Sequence, residues 1–269
     1  MRLVLFLLTA LLARAEITAG PFPPEPPINQ LRVFDNSCGP VALYNSLNFG
    51  GEPWREIVRA LDKETPKEKI RLIVRRFGSR PSWGGNGARR WNGRFGINAQ
   101  NLTLVANDMR QGRRLPELQL NNYFQGQKEK NTKVLKRLYK DMRESLRNGF
   151  PPLATLQRYR TSRLRSGRVI WRLAQSHFVS IVGIPEKLKR NAETLAVSYV
   201  DPWGGKFLQG TINAPPTLYP PKIEQGASFN PNSPPSAPVA DFSETRVGLS
   251  SIPRGEASVL IVGGLIFAN

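Results

Sequence analysis

The order of patterns along this chain predicts an α+β fold. Segments with helical spacing of apolar residues come first, up to Gly149, and short β-rich apolar runs follow. No segment repeats another, and 269 residues suffice for one large domain with a substantial core. The expected architecture is a set of N-terminal helices, one of them packed by its N-terminus on an antiparallel sheet.

Residues 1–15 carry the marks of a cleavable signal peptide. Arg2 supplies the positive region, the stretch 3–12 is apolar apart from Thr9, and Ala13-Arg14-Ala15 is a small-residue cleavage site. The apolar run is too short to anchor a chain in a bilayer, and no later stretch is long enough. A secreted or periplasmic protein without an integral membrane span is therefore expected. Residues 16–28, with Pro21, Pro23, Pro24, Pro26 and Pro27, form a Pro-rich lead-in, expected to be extended, polyproline-like and mobile.

A helix starts at Cys38, with Pro40 in its first turn, apolar Val41, Ala42, Leu43 and Leu47, and Gly50-Gly51 at its end. Further helices are predicted over 52–61, 66–77, 100–109 and 132–148. The last is the clearest, with Val134, Leu135, Leu138, Tyr139, Met142 and Leu146 at helical spacing. Between them, residues 78–96 form a long loop rich in Gly, Arg and Trp, and 115–124 is strand or loop. Strands are predicted at 152–157, 196–200 and 258–267. Two more, 169–173 and 177–184, read as a hairpin around Ala174-Gln175-Ser176. Residues 214–239, dense in Pro, Ser and Asn, read as loop or linker. The domain plan is then a catalytic-type domain over 29–213 with a basic insertion at about 52–126, followed over 214–269 by the Pro/Ser-rich loop and a C-terminal strand.

Charge is unevenly placed. The net charge is +19, and residues 52–172 hold 29 Lys and Arg against 10 Asp and Glu, an excess equal to that of the whole chain. Such a surface attracts polyanions in a salt-dependent way. For an exported protein these would be anionic cell-wall polymers, lipid head groups or nucleic acid. An acidic peptide is a further possibility. Arg89, Arg90 and Arg94, interleaved with Trp83 and Trp91, could stack on the rings as well as pair charges. The plainer alternative is a solvated basic face with the tryptophans packed inward.

The chain has one cysteine and one histidine. An intramolecular disulfide is therefore excluded, and a lone thiol in an exported chain suggests reactivity. A typical zinc site is also excluded, no carboxylate cluster compensates, and no phosphate-binding glycine loop occurs, so neither metal nor cofactor is expected. Cys38 sits at a helix start, where unpaired N–H groups and the helix dipole favour the thiolate. His177 lies in an apolar β-type run, and Asp201 follows in Val200-Asp201-Pro202-Trp203. Nucleophile, base and orienting group thus occur in that order. Neighbouring antiparallel strands would bring the start of the histidine strand and the end of the aspartate strand to one sheet edge, where the Cys38 helix could pack. Asp-Pro-Trp-Gly-Gly is also a good turn sequence. For the oxyanion, the backbone N–H of Cys38 is one candidate donor, and the side-chain amide of Gln30 or Asn36 is another.

These residues resemble a family. Ile28-Asn29-Gln30 and Asp35-Asn36-Ser37-Cys38-Gly39-Pro40-Val41-Ala42-Leu43 are similar to the papain-like cysteine peptidases of the bacteriocin-processing (double-glycine leader peptidase) type. Ser176-His177-Phe178-Val179 and Tyr199-Val200-Asp201-Pro202-Trp203-Gly204-Gly205 resemble that family's histidine and aspartate motifs. The resemblance implies a papain-like α+β fold, a catalytic triad of Cys38, His177 and Asp201, and Gln30 at the oxyanion hole. It covers roughly 26–50 and 140–210. The basic stretch 52–126 is unlike the family, and processing of double-glycine leaders is not implied. The expected function is hydrolysis of peptide or amide bonds in a peptide or protein substrate. The alternatives are transglutaminase-like acyl transfer by the same residues and a non-enzymatic cationic protein that binds anionic polymers.

Overall fold

The computed structural model describes residues 16–21, 23, 25–85, 87–124, 129–163, 165, 169–215 and 236–269. The expected signal peptide and most of the Pro/Ser-rich loop lie outside the described residues. In chain order the elements are β1 (Glu16–Thr18), α1 (Cys38–Asn48), α2 (Glu52–Arg59), α3 (Pro66–Ile73), α4 (Ala99–Arg110), β2 (Leu118–Asn122), α5 (Asn131–Arg147), β3 (Leu153–Arg163), β4 (Val169–Pro185), β5 (Thr194–Asp201), β6 (Lys206–Asn213), β7 (Val239–Asp241) and β8 (Ser258–Ala268). The class is α+β with an antiparallel sheet, as the order of patterns predicts.

Helix α1 is the centre of the helical layer. Every residue from Gly39 to Leu47 is buried, so the helix is enclosed rather than amphipathic. It stops where Gly50 passes the chain: a Cβ there would meet Gly149 O and Trp54 Cβ at 2.9 Å each. Helix α3 starts with a reciprocal capping box between Thr65 and Glu68, and its end runs on into a π-helical turn at Val74–Gly78. Apolar faces of α2, α3 and α4 pack on α1 through Trp54, Ile57, Ile70, Ile73, Leu102 and Val105. The basic stretch is thus part of the core and not an appendage.

Six strands close on themselves. β3 pairs β4 and β8, β8 pairs β7, β7 pairs β6, β6 pairs β5, and β5 returns to β4, all antiparallel. Closure removes the open edges a flat sheet would expose. Helix α5 lays Val134, Leu135, Leu138, Met142 and Leu146 on this sheet, in one core with Ile181, Val197, Tyr199 and Val262. Strands β7 and β8 belong to the same sheet, because β8 lies between β3 and β7 and also pairs β2.

Two expectations are corrected. The histidine region is no hairpin: β4 is one 17-residue strand, and the Ala174-Gln175-Ser176 stretch is a bulge, where Arg158 faces Gln175 and Tyr159 faces Leu173. Much of its N-terminal half is solvent-accessible, so its polar residues imitate a turn. The Pro-rich lead-in also begins as a strand, with Glu16, Ile17 and Thr18 paired to Pro185, Ile184 and Gly183. Ile28 N–H at its far end donates to Asn45 Oδ1 at 3.0 Å. Among the described residues, no helix is long and apolar enough to cross a membrane.

Candidate active site

Three segments converge: the start of α1, the middle of β4 and the turn after β5. Two buried serines set the first contact. Ser180 Oγ donates to Ala42 O of α1, and Ser46 Oγ of α1 donates to Ser180 Oγ, each at 2.9 Å. Ser180 lies three residues beyond His177 and pairs with Val200, the neighbour of Asp201. One rung therefore fixes the helix, the histidine strand and the aspartate strand together.

His177 Nε2 lies 2.8 Å from Asp201 Oδ1, and both side chains are buried, with 1% of each exposed. Cys38, the half-buried first residue of α1, is the other group that acts on the imidazole, raising its pKa together with Asp201. His177 is thus placed between thiol and carboxylate. Burial acts most strongly on it and disfavours the imidazolium. Hydrogen bonds to Asp201 and Cys38, with the charges of both, outweigh burial and push its pKa up to about 9. Cys38 begins its helix, so its backbone N–H has no partner one turn back within the helix.

Asp201 is held from every side. Oδ1 also accepts the Trp203 backbone N–H at 2.8 Å, and Oδ2 accepts the Thr245 hydroxyl at 2.9 Å. Thr245 Oγ1 is 3.0 Å from Tyr199 Oη. The Thr245 proton is used on the carboxylate, so Tyr199 is the donor in that contact. Burial, helped by the charges of Asp201 and Glu244, pushes Tyr199 up to about 12, so it keeps its proton at neutral pH. The Trp203 ring meets His177 edge to face, with centroids 6.2 Å apart, and screens the pair from one side.

Asp-Pro-Trp-Gly-Gly is a turn and an orienting element at once. Asp201 ends β5 and Lys206 begins β6 opposite it. The turn docks on the residues that follow the lead-in: Gln30 N–H donates to Pro202 O at 2.8 Å, and Gly204 N–H donates to Asn29 Oδ1 at 3.2 Å. Gly205 has φ +63°, and a Cβ there would lie 2.6 Å from Pro27 O. A side chain is excluded on both counts.

Of the two candidate amides, Asn36 is already committed. It sits at φ 56°, and its Nδ2 donates to Gly93 O and Arg94 O at 2.9 and 3.1 Å. Gln30 is buried, its Oε1 has no hydrogen-bond partner, and its carbonyl accepts Ser37 Oγ at 3.4 Å, one residue before Cys38. Gln30 Nε2, the donor an oxyanion would need, makes no hydrogen bond among the described residues, so of the two amides Gln30 is the one left uncommitted near Cys38.

The Arg/Trp loop also differs from expectation. Arg94 stacks on Phe95 at 5.2 Å rather than on a tryptophan, and Arg90 pairs with Asp108. Trp91 is half-buried against Phe34, while Trp83 is exposed, so the tryptophans divide between the two readings. Thr245 is the site residue the sequence does not announce; Tyr199 and Trp203 lie in the aspartate motif, but their contacts with Thr245 and His177 are not legible there. Among the described residues no cluster of three or more His, Cys, Asp or Glu could hold a metal ion. Comparisons of the chain with family models, curated proteins and solved structures return no match.

Proposed function

We propose that this chain is an exported cysteine hydrolase of papain-like fold that cleaves peptide or amide bonds. The observation that carries this reading is the Cys38–His177–Asp201 line, with the His177–Asp201 contact at 2.8 Å and buried. The closed antiparallel sheet with a nucleophile helix packed on it supports the papain-like assignment.

In the first half-reaction the Cys38 sulfur attacks the substrate carbonyl carbon, and the C=O π electrons move to oxygen. The oxyanion is met by the Cys38 backbone N–H and the Gln30 side-chain amide. The C–N bond then breaks, and the His177 proton facing Cys38 passes to the leaving amine, which leaves a thioester. In the second half-reaction His177 takes a proton from water as the water oxygen attacks the thioester. The C–S bond breaks, the electron pair returns to sulfur, and the acid product departs. Asp201 fixes the ring and stabilises the imidazolium; it does not itself carry a proton.

The test is incubation of the protein and of Cys38→Ala with a mixed peptide pool and a primary amine, read by mass spectrometry. Hydrolysis gives new peptide termini that are absent with Cys38→Ala. Amine-capped products in place of free acids would move the assignment to acyl transfer. Neither product, with both proteins alike, would overturn the hydrolase reading. The second reading is then a cationic binding protein. The exposed Arg71, Arg75 and Arg76 favour it, because none has an ion-pair partner among the described residues.

A further inference from the structure

We infer that the turn formed by residues 92–96 is a substrate subsite, in which Phe95 and Arg94 read an apolar side chain with an acidic neighbour in a peptide substrate. The inference rests on the hydrolase reading above and specifies its substrate class.

Phe95 is 78% exposed, the highest value among the described large apolar side chains. Its backbone, in contrast, is tightly held. Asn92 and Gly96 exchange backbone hydrogen bonds at 2.8 and 2.7 Å, and Asn92 Oδ1 accepts the N–H groups of Arg94 and Phe95 at 2.8 and 3.2 Å. The turn is then fastened to both sides of the nucleophile. On one side Asn36 Nδ2 binds Gly93 O and Arg94 O, and a Cβ at Gly96 would lie 3.0 Å from Asn36 O. On the other side Ile97 fills the space over Gly39, where a Cβ would meet Ile97 Cγ2 at 2.4 Å. Asn36 and Gly39 bracket Cys38. An aromatic ring and a guanidinium are thus held rigidly out in solvent next to the reactive thiol. Preorganised display of this kind lowers the entropic cost of binding.

A second exposed pair of the same kind follows Gln30. Leu31 is 64% exposed and Arg32 is exposed, directly after Gln30. Neither Arg32 nor Arg94 has an ion-pair partner among the described residues, and Asp35, three residues after Arg32 in sequence, is also exposed. Each pair therefore offers apolar surface beside a cation without an ion-pair partner, Arg94 lying on the Phe95 ring itself. The complementary ligand is an extended peptide with an apolar residue and a carboxylate side by side. A neutral or basic peptide would leave the cations unmatched.

The experiment compares cleavage of two eight-residue peptide pools that are randomised except at one position, fixed as Glu in one and as Lys in the other. Each pool has a second form with Phe or Gly fixed next to that position. The wild-type protein is expected to favour Glu over Lys about fivefold at low salt, near the upper end for an exposed ion pair, and less as salt rises. Arg94→Glu should invert that ratio. Phe95→Ala should reduce the Phe-over-Gly preference about tenfold, as expected for loss of buried aromatic surface. Each ratio is taken on one preparation, so partial misfolding cancels. As a readout without turnover, the Glu pool should slow iodoacetamide reaction at Cys38 more than the Lys pool, and Arg94→Glu should reverse the order. Wild-type ratios preserved in both variants would overturn the subsite while leaving the hydrolase reading intact. No cleavage of any pool would overturn the hydrolase reading, and equal protection by the two pools would then overturn the subsite as well.

Discussion

Replacing Asp201 by Asn removes one charge; with the Asn oxygen kept toward His177 Nε2–H and Trp203 N–H, its Nδ2 faces Thr245 Oγ1 and must donate to it, so the Thr245 hydroxyl proton has to turn away. His177 is held at about 9 against an ordinary 6.5, a difference on the order of 3 kcal/mol between its two protonation states. Burial opposes that rise, so the charges and hydrogen bonds of Asp201 and Cys38 supply more than the net amount. An opposite charge at hydrogen-bonding distance moves a pKa by about 1 to 3 pH units. The retained hydrogen bond puts this variant at the lower end, so its His177 midpoint should fall to between about 7 and 8. The assay is NMR of protein labelled with ¹³C-histidine. His177 is the one histidine in the chain, so a single resonance reports it without assignment. The sign of the linked stability follows from the raised value. Stability from the imidazolium is fully present below the unfolded pKa of 6.5 and is lost as pH rises through about 9. Asp201→Asn should therefore narrow that window from its alkaline side. A midpoint that stays near 9 in the variant, or one at or below 6.5 in the wild type, would refute the reasoning.

Other outcomes follow from the same contacts. Thr245→Val keeps the shape but leaves Asp201 Oδ2 without its hydroxyl donor and Tyr199 without its acceptor, so urea unfolding should show a loss of about 1–3 kcal/mol. Equal stability of variant and wild type would contradict a buried network. Gly205→Ala places a methyl group 2.6 Å from Pro27 O at φ +63°, and about 2 kcal/mol or more of stability should be lost with the docking of the turn. An unchanged melting temperature would show that the turn is not seated on the lead-in.

The residues proposed as nucleophile, base and orienting group are legible in the sequence because each is rare or sits in a distinctive context: the lone Cys38 at a helix start, the lone His177 in a β-run, and Asp201 before Pro202. Their convergence depends on a register, Ser180 opposite Val200, that no local pattern announces. Thr245 is illegible for a related reason. It lies outside any periodic element and matters only through Asp201 and Tyr199. The helices are read nearly to their ends, since capping residues and apolar spacing are local signals. Strand β6 escapes because Gly210 interrupts its pattern. That glycine is demanded from outside the strand, where a Cβ would meet Phe242 Cδ1 at 2.5 Å. The choice between Gln30 and Asn36 likewise needs the fold, since the turn 92–96 is what engages Asn36.

The central claim is that His177 makes Cys38 a nucleophile. It is tested most directly by the rate of iodoacetamide reaction at Cys38 from pH 4 to 10, in the wild type and in His177→Ala. At pH 6 to 7 the wild type should react faster than His177→Ala by at least about an order of magnitude, because the imidazole that activates the thiol is lost. Superimposable profiles for the two proteins would contradict the claim.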